Sequence, residues 1–186
     1  MKTKFILHGG FSREHYPLQE DDAFFGEIFK DAPDNIQMLL VYFAEREDML
    51  SLRIRQDTQQ CIKNSGSKKI EFRVAIEEAF ERDCAWAHVI YFHGGATAKL
   101  MAVLEKYPDI KEMLAGKIIA GDSAGANSFA HVYFSKNAQA IGSGLGILPF
   151  KIVAHYEEGI SNPLADVESQ YETLFLKEYE TKVVYI

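Results

Sequence analysis

Short apolar runs alternate with amphipathic stretches along most of the chain. Phe5-Ile6-Leu7 leads into His8-Gly9-Gly10, which reads as a buried strand entering a tight loop. Within Asp21 to Phe29, the residues Phe24, Phe25, Ile28 and Phe29 fall at the spacing of one helix face. Ile36 to Ala44 (IQMLLVYFA) is almost wholly apolar, as suits a parallel strand covered on both faces. The charged segment Glu45 to Cys61 follows as a helix with Leu50, Ile54 and Cys61 on one side. Lys69 to Arg73 reads as a short strand and Val74 to Phe80 as a helical continuation. Trp86 to Phe92 (WAHVIYF) predicts another buried strand, ending in His93-Gly94-Gly95, with Thr97 as N-cap of the next helix. Lys117 to Ala120 is a strand running into Gly121-Asp122-Ser123-Ala124-Gly125, with a helix expected from there to His131. Ile152 to His155 reads as a late strand, Pro163 as the start of a helix reaching Tyr179, and Val183 to Tyr185 as a last strand.

This alternation predicts an α/β fold: a three-layer αβα sandwich with a mostly parallel central sheet. No internal repeat or Pro/Gly linker divides the chain, so residues 1–186 are read as one domain. Ligands of such sheets bind at the carboxyl ends of strands. The glycine-bearing loops after Leu7, Phe92 and Ala120 all fall at such ends.

Composition narrows the partners. The formal net charge of −7 disfavours nucleic acid, which needs a basic surface. No apolar run approaches membrane-spanning length, so neither nucleic acid nor membrane is expected as a partner. Cys61 and Cys84 form no CxxC pair, and two scattered thiols fit a reducing cytoplasm. No HExxH motif or clustered His/Cys set is present, so no metal and no organic cofactor is expected.

The strongest chemical signal is Gly121-Asp122-Ser123-Ala124-Gly125, a G-x-S-x-G nucleophile elbow set between an apolar strand and a helix. The turn lifts the serine hydroxyl clear of the sheet, and small neighbours let the chain pass itself and substrate approach. The amide of Ala124 is then placed to donate to an oxyanion. The competing reading makes Ser123 a mere helix cap, and the strand-to-helix context favours catalysis. The Gly94-Gly95 pair can turn a second backbone N–H toward the same site. His155, at a strand end downstream of the serine, is the expected general base, with His8, His15, His88, His93 and His131 as competitors.

GDSAGA, the upstream IYFHGGATAKLM and the downstream GLGILPF…AHY together resemble the peptidase E (aspartyl dipeptidase, cyanophycinase-like) family of serine peptidases. That family is similar in fold to class I glutamine amidotransferases and to flavodoxin-like sheets. The likeness is clearest from Trp86 to Tyr156 and takes in the N-terminal FILHGG. It implies Ser123 as nucleophile, His155 as base, and Gly95 with Ala124 as oxyanion donors. Two departures stand out. The family's aspartate falls in Ser135-Lys136-Asn137-Ala138-Gln139, which holds no acid, and the proline usual before the histidine is Ala154. Asn137 is one candidate to orient the base. Glu157 is another, because residues two apart in a strand share a face.

The function expected is therefore a serine hydrolase, a peptidase or dipeptidase cleaving short peptides through an acyl-enzyme. An esterase with the same machinery is one alternative, and a catalytically silent relative binding a small ligand or partner is another. All six arginines (Arg13, Arg46, Arg53, Arg55, Arg73, Arg82) precede Ser123, which predicts little preference for Asp-X dipeptides unless Arg13 or a lysine grips the acid. The strand-like Lys182-Val183-Val184-Tyr185-Ile186 would need covering at a sheet edge, so a homodimer is expected.

Overall fold

The structure is a computed structural model and describes residues 2–11, 22–167 and 170–186. Five strands come first: β1 (Lys4–His8), β2 (Asn35–Val41), β3 (Lys69–Val74), β4 (Val89–Phe92) and β5 (Ile118–Asp122). The helices are α1 (Asp22–Lys30), α2 (Glu47–Asn64), α3 (Phe80–Trp86), α4 (Thr97–Leu104), α5 (Ile110–Leu114) and α6 (Ala124–Phe129). Then follow β6 (Val132–Ser135), β7 (Ala140–Ser143), β8 (Lys151–Ala154), β9 (Thr173–Leu176) and β10 (Thr181–Tyr185).

Six strands form the main sheet in the order β10-β1-β5-β4-β2-β3, with β10 alone antiparallel to its neighbour. Alternate residues of these strands feed two cores. Ile6, Met38, Leu40, Tyr91 and Ala120 meet Phe24, Phe25, Ile28 and Phe29 of α1 and Cys61 of α2. Phe5, Leu7, Leu39, Ile90 and Ile119 meet α3 to α6 through Phe80, Cys84, Leu100, Leu104, Leu114 and Phe129. Burying each such side chain contributes roughly 1.5–3 kcal/mol, so the four apolar residues of α1 suffice to dock it. The α/β sandwich read from the alternation is present.

Three expectations are corrected. A second sheet, β7-β6-β8-β9, follows α6. The helix expected from Pro163 to Tyr179 is absent among the described residues: Pro163 sits in a turn closed by Leu164 N–H donating to Asn162 Oδ1 at 2.9 Å. An Asn side chain accepts from a backbone N–H two residues on in a local turn as readily as it caps a helix, so the Asn-Pro pair does not by itself start one. Leu174 and Leu176 of β9 instead pair in register with Ile152 and Ala154 of β8. Thr97 is the first residue of α4 rather than its cap, which is Ala96. No helix is long and apolar enough to cross a membrane.

The register aligns the carboxyl ends of the central strands. His8 of β1 lies beside Asp122 of β5, and Gly121 beside Phe92 of β4. The three glycine-bearing loops therefore converge on one rim.

Candidate active site

Ser123 stands between β5 and α6 with φ 45° and ψ −96°, a conformation that L-residues avoid. Its N–H donates to the His8 carbonyl at 3.0 Å, and its own carbonyl accepts from Asn127 N–H at 2.9 Å. The hydroxyl makes no helix-cap bond. It lies 3.0 Å from His155 Nε2 instead, so the capping alternative is removed. The flanking glycines are required by close approach: a Cβ on Gly125 would sit 2.4 Å from the Phe92 carbonyl oxygen, and one on Gly121 would sit 2.7 Å from Gly125 C.

His155 follows β8, and its N–H is tied to the Gly9 carbonyl at 2.8 Å. Its φ of 54° takes the chain out of the strand at this residue. Two-residue alternation therefore stops there, and Glu157 does not reach the ring. Glu157 is exposed and paired with Lys136, whose hydrogen bond draws its carboxyl below the usual value. The ring nitrogen Nδ1 faces Glu178 Oε1 at 3.0 Å. Glu178 lies in the turn joining β9 to β10, a residue the sequence reading missed because it placed that turn inside a helix. The signal was there in a charged Lys177-Glu178-Tyr179-Glu180 between two β-prone stretches. Asn137 lines the cleft, but the Nδ1 position belongs to Glu178.

The N-terminal glycines explain how these pieces meet. Gly10 has φ +108°, and a Cβ on it would lie 2.2 Å from His155 Cε1. A Cβ on Gly9 would lie 1.8 Å from the Lys177 carbonyl oxygen. Gly10 accepts from Tyr179 N–H at 3.0 Å, and Gly9 N–H donates to the Glu180 carbonyl at 3.0 Å. The loop after β1 thus clamps His155 on one side and the Glu178 turn on the other.

Gly95 has φ +133° and packs so tightly on the Ala44 carbonyl that a Cβ would come within 2.4 Å of its oxygen. Ala124 opens α6, where N–H groups have no intrahelical acceptor. Gly95 and Ser123 line a cleft of about 400 Å³ together with His155, Glu178, Asp122 and His93.

The remaining histidines separate cleanly. His8 is buried, with Nδ1 2.8 Å from Asp122 Oδ1. His88 lies at the opposite end of the sheet, His131 packs on the Tyr171 ring, and His15 lies outside the described residues. His93 is held by Asp57 Oδ2 at 2.8 Å and Glu45 Oε2 at 3.2 Å. Burial pulls its pKa down, but the Asp57 charge, with hydrogen bonds from the ring to both carboxylates, pushes it up to about 10. The hydrogen bond from His93 takes Glu45 down to about 2, against the effect of burial. Arg46 and Arg53 also line the cleft, paired with Asp48 and Glu45, so the linear order of the arginines loses its force as a guide to specificity. Arg13 lies outside the described residues. No group of three or more His, Cys, Asp or Glu among the described residues is arranged to hold a metal ion.

The chain and its fold have counterparts among known proteins. The sequence pattern of peptidase family S51 matches residues 53–186. The fold is similar to that of a peptidase from an acI-B1 Actinobacterium, with TM-score 0.70 and 19% identity over 99% of this chain and 84% of that one. It is also similar to a protein from Listeria monocytogenes EGD-e that carries the name peptidase E, with TM-score 0.67 and 13% identity, covering 100% of this chain and 98% of that one. No curated protein matches the chain in sequence.

Proposed function

Because the chain belongs to peptidase family S51, we propose that its serine-peptidase chemistry is carried by Ser123, His155 and Glu178, acting on short peptides. The observation that supports this most is the unbroken relay from Ser123 Oγ to His155 Nε2 and from His155 Nδ1 to Glu178, each step 3.0 Å.

His155 Nε2 takes the hydroxyl proton as Oγ attacks the scissile carbonyl, and Glu178 accepts the Nδ1–H and steadies the imidazolium. The backbone N–H groups of Gly95 and Ala124 receive the oxyanion. His155 then returns its proton to the leaving amine, which departs and leaves an acyl-serine. A water, deprotonated by the same nitrogen, hydrolyses that ester and restores the hydroxyl.

One motive for a catalytically silent relative was the missing acid, and Glu178 offers a carboxylate from a different part of the chain. An esterase would use the same groups, so substrate panels of matched esters and amides separate the two. The two cysteines are buried and unpaired, which supports a cytoplasmic location.

The test is labelling with a fluorophosphonate and location of the adduct by mass spectrometry. Modification at Ser123 alone, absent from Ser123→Ala, is the expected result. Labelling of folded protein elsewhere, or nowhere, would falsify the assignment.

A further inference from the structure

Charges that line the cleft are met in pairs, with one exception. Arg46, Arg53 and Lys136 pair with Asp48, Glu45 and Glu157. His155 pairs with Glu178, and both ring nitrogens of His93 are taken by Asp57 and Glu45. Asp122 lines the same cleft and, among the described residues, has no lysine or arginine partner. Its carboxylate is held by one oxygen only. Oδ1 lies 2.8 Å from His8 Nδ1, and Oδ2 has no hydrogen-bond partner among the described residues. The side chain keeps 5% of its surface open, and the residue is part of the cleft wall. Oδ2 rests against Gly94, where an added Cβ would come within 2.7 Å of it. Glycine at that position leaves the oxygen uncovered.

The proton on His8 decides the charge of Asp122. Gly10 N–H lies 3.2 Å from the same Nδ1, and one ring nitrogen cannot donate to Asp122 and accept from Gly10 together. The contact with Asp122 is shorter, and a bond to a carboxylate is the stronger of the two. Nδ1–H therefore donates to Oδ1. Nε2, sealed without a partner between the rings of Phe11 and Phe24, then carries no proton. His8 is neutral in this arrangement, and Asp122 keeps its negative charge.

A largely buried carboxylate with one oxygen open to a cleft is stabilised by a cation that enters from outside. Position sets which cation. Asp122 adjoins Ser123 in the chain, where consecutive Cα atoms are about 3.8 Å apart. Gly94, against which Oδ2 rests, adjoins Gly95. A cation on Oδ2 thus lies close to the carbonyl under attack. In a peptide, the α-ammonium is one carbon removed from the carbonyl of its own residue. Taking Ser123 as the nucleophile, a reading on which this inference rests, we propose that Asp122 is a specificity-determining residue. Its Oδ2 binds the α-ammonium of the residue whose carbonyl Ser123 attacks. The contact directs cleavage to the first peptide bond, and a blocked amino terminus loses it.

The test uses two boronic acids, to which a serine oxygen adds reversibly: 1-aminoethylboronic acid and its desamino counterpart, ethylboronic acid. Each is titrated against fluorophosphonate labelling of Ser123, in the wild type and in Asp122→Asn, which keeps an acceptor for His8 and removes the charge. The ratio of the two inhibition constants reads the amine alone. A hydrogen bond between charged groups is worth on the order of 10–10²-fold. An amine advantage at least about tenfold smaller in the variant supports the proposal, and a lesser change overturns it. Should Asp122→Asn fail to fold, Asp122→Ser is judged by the same ratio. A loss confined to the distal amine of 5-aminopentylboronic acid would give Asp122 to a basic side chain and overturn the α-ammonium assignment. Protection of the labelled wild type by neither acid overturns it too. A wild type that the fluorophosphonate does not label at Ser123 overturns the nucleophile assignment, and this proposal with it.

Discussion

Glu178 meets the imidazole of His155 at 3.0 Å across a sequence separation of 23 residues. The contact exists because β9 pairs with β8 in one sheet while β10 pairs with β1 in the other. The turn between β9 and β10 must therefore pass over the seam, where β8 ends in His155. The carboxylate that faces His155 Nδ1 thus comes from a sheet-to-sheet crossing.

Glu178→Gln keeps the shape but removes the charge that stabilises the imidazolium. Turnover is expected to fall by about 10²–10⁴-fold, the upper figure belonging to buried triad acids. Because the Glu178 side chain is 40% exposed, solvent shares its task and the lower part of that range applies. Glu157→Gln, which breaks only a surface pair with Lys136, should stay within about threefold of the wild type. Steady-state kinetics of the two variants side by side decides the assignment, and equal mild effects would reject it.

Ser123→Ala and His155→Ala should each abolish turnover to nearly the same extent. The double variant should lose little more, since nucleophile and base act as one unit. Additive losses, measured as kcat/KM, would indicate separate roles.

Gly10→Ala places a methyl where the His155 ring now lies and demands φ +108° of a residue with a Cβ. The backbone strain alone is worth about 1–3 kcal/mol. Turnover should collapse with it, as the ring is pushed off Ser123 and Glu178. Urea unfolding and kinetics of this variant check both effects. Unchanged activity would mean that the loop after β1 does not clamp the base.

The buried pair of His93 and Glu45 makes stability depend on pH in a defined window. His93 holds its proton up to about 10, against 6.5 when unperturbed, so its contribution is complete below pH 6.5 and is lost as pH rises through 10. Glu45 ionises at about 2 rather than 4.5, so its contribution is present above pH 4.5 and is lost as pH falls toward 2. Melting temperature should therefore be highest between these limits, and His93→Gln should flatten the alkaline limb. A variant whose alkaline limb matches the wild type would contradict the pairing.

β10 stands at the end of the main sheet, bonded to β1 along one edge, with Tyr185 53% exposed. Open strand edges are usually covered, and pairing with a second copy of the same strand is the simplest cover. A dimer by light scattering, converted to monomer by Tyr185→Pro, whose N–H faces the open edge because the bonds to β1 fall on Ile186 and alternate residues before it, is the expected result. A monomer at high concentration would dispose of the idea.

The α/β architecture, the rim where three glycine loops gather, and the pairing of Ser123 with His155 are legible in the sequence. Hydrophobic periodicity reports local burial, and strand-ending glycines report tight turns, so both survive without knowledge of neighbours. The positions of Glu178, of the second sheet and of the His93 cluster were settled only by the tertiary structure. Each depends on contacts between distant segments: β9 on β8, the Glu178 turn on Gly9 and Gly10, and Asp57 of α2 on His93 beyond β4. Glu157 shows the limit most plainly. Spacing alone placed it beside His155, and a single positive φ at His155 turned it away to Lys136. A backbone reversal of that kind is imposed by what the chain packs against, here the Gly9 carbonyl that anchors His155 N–H, and no local pattern announces it.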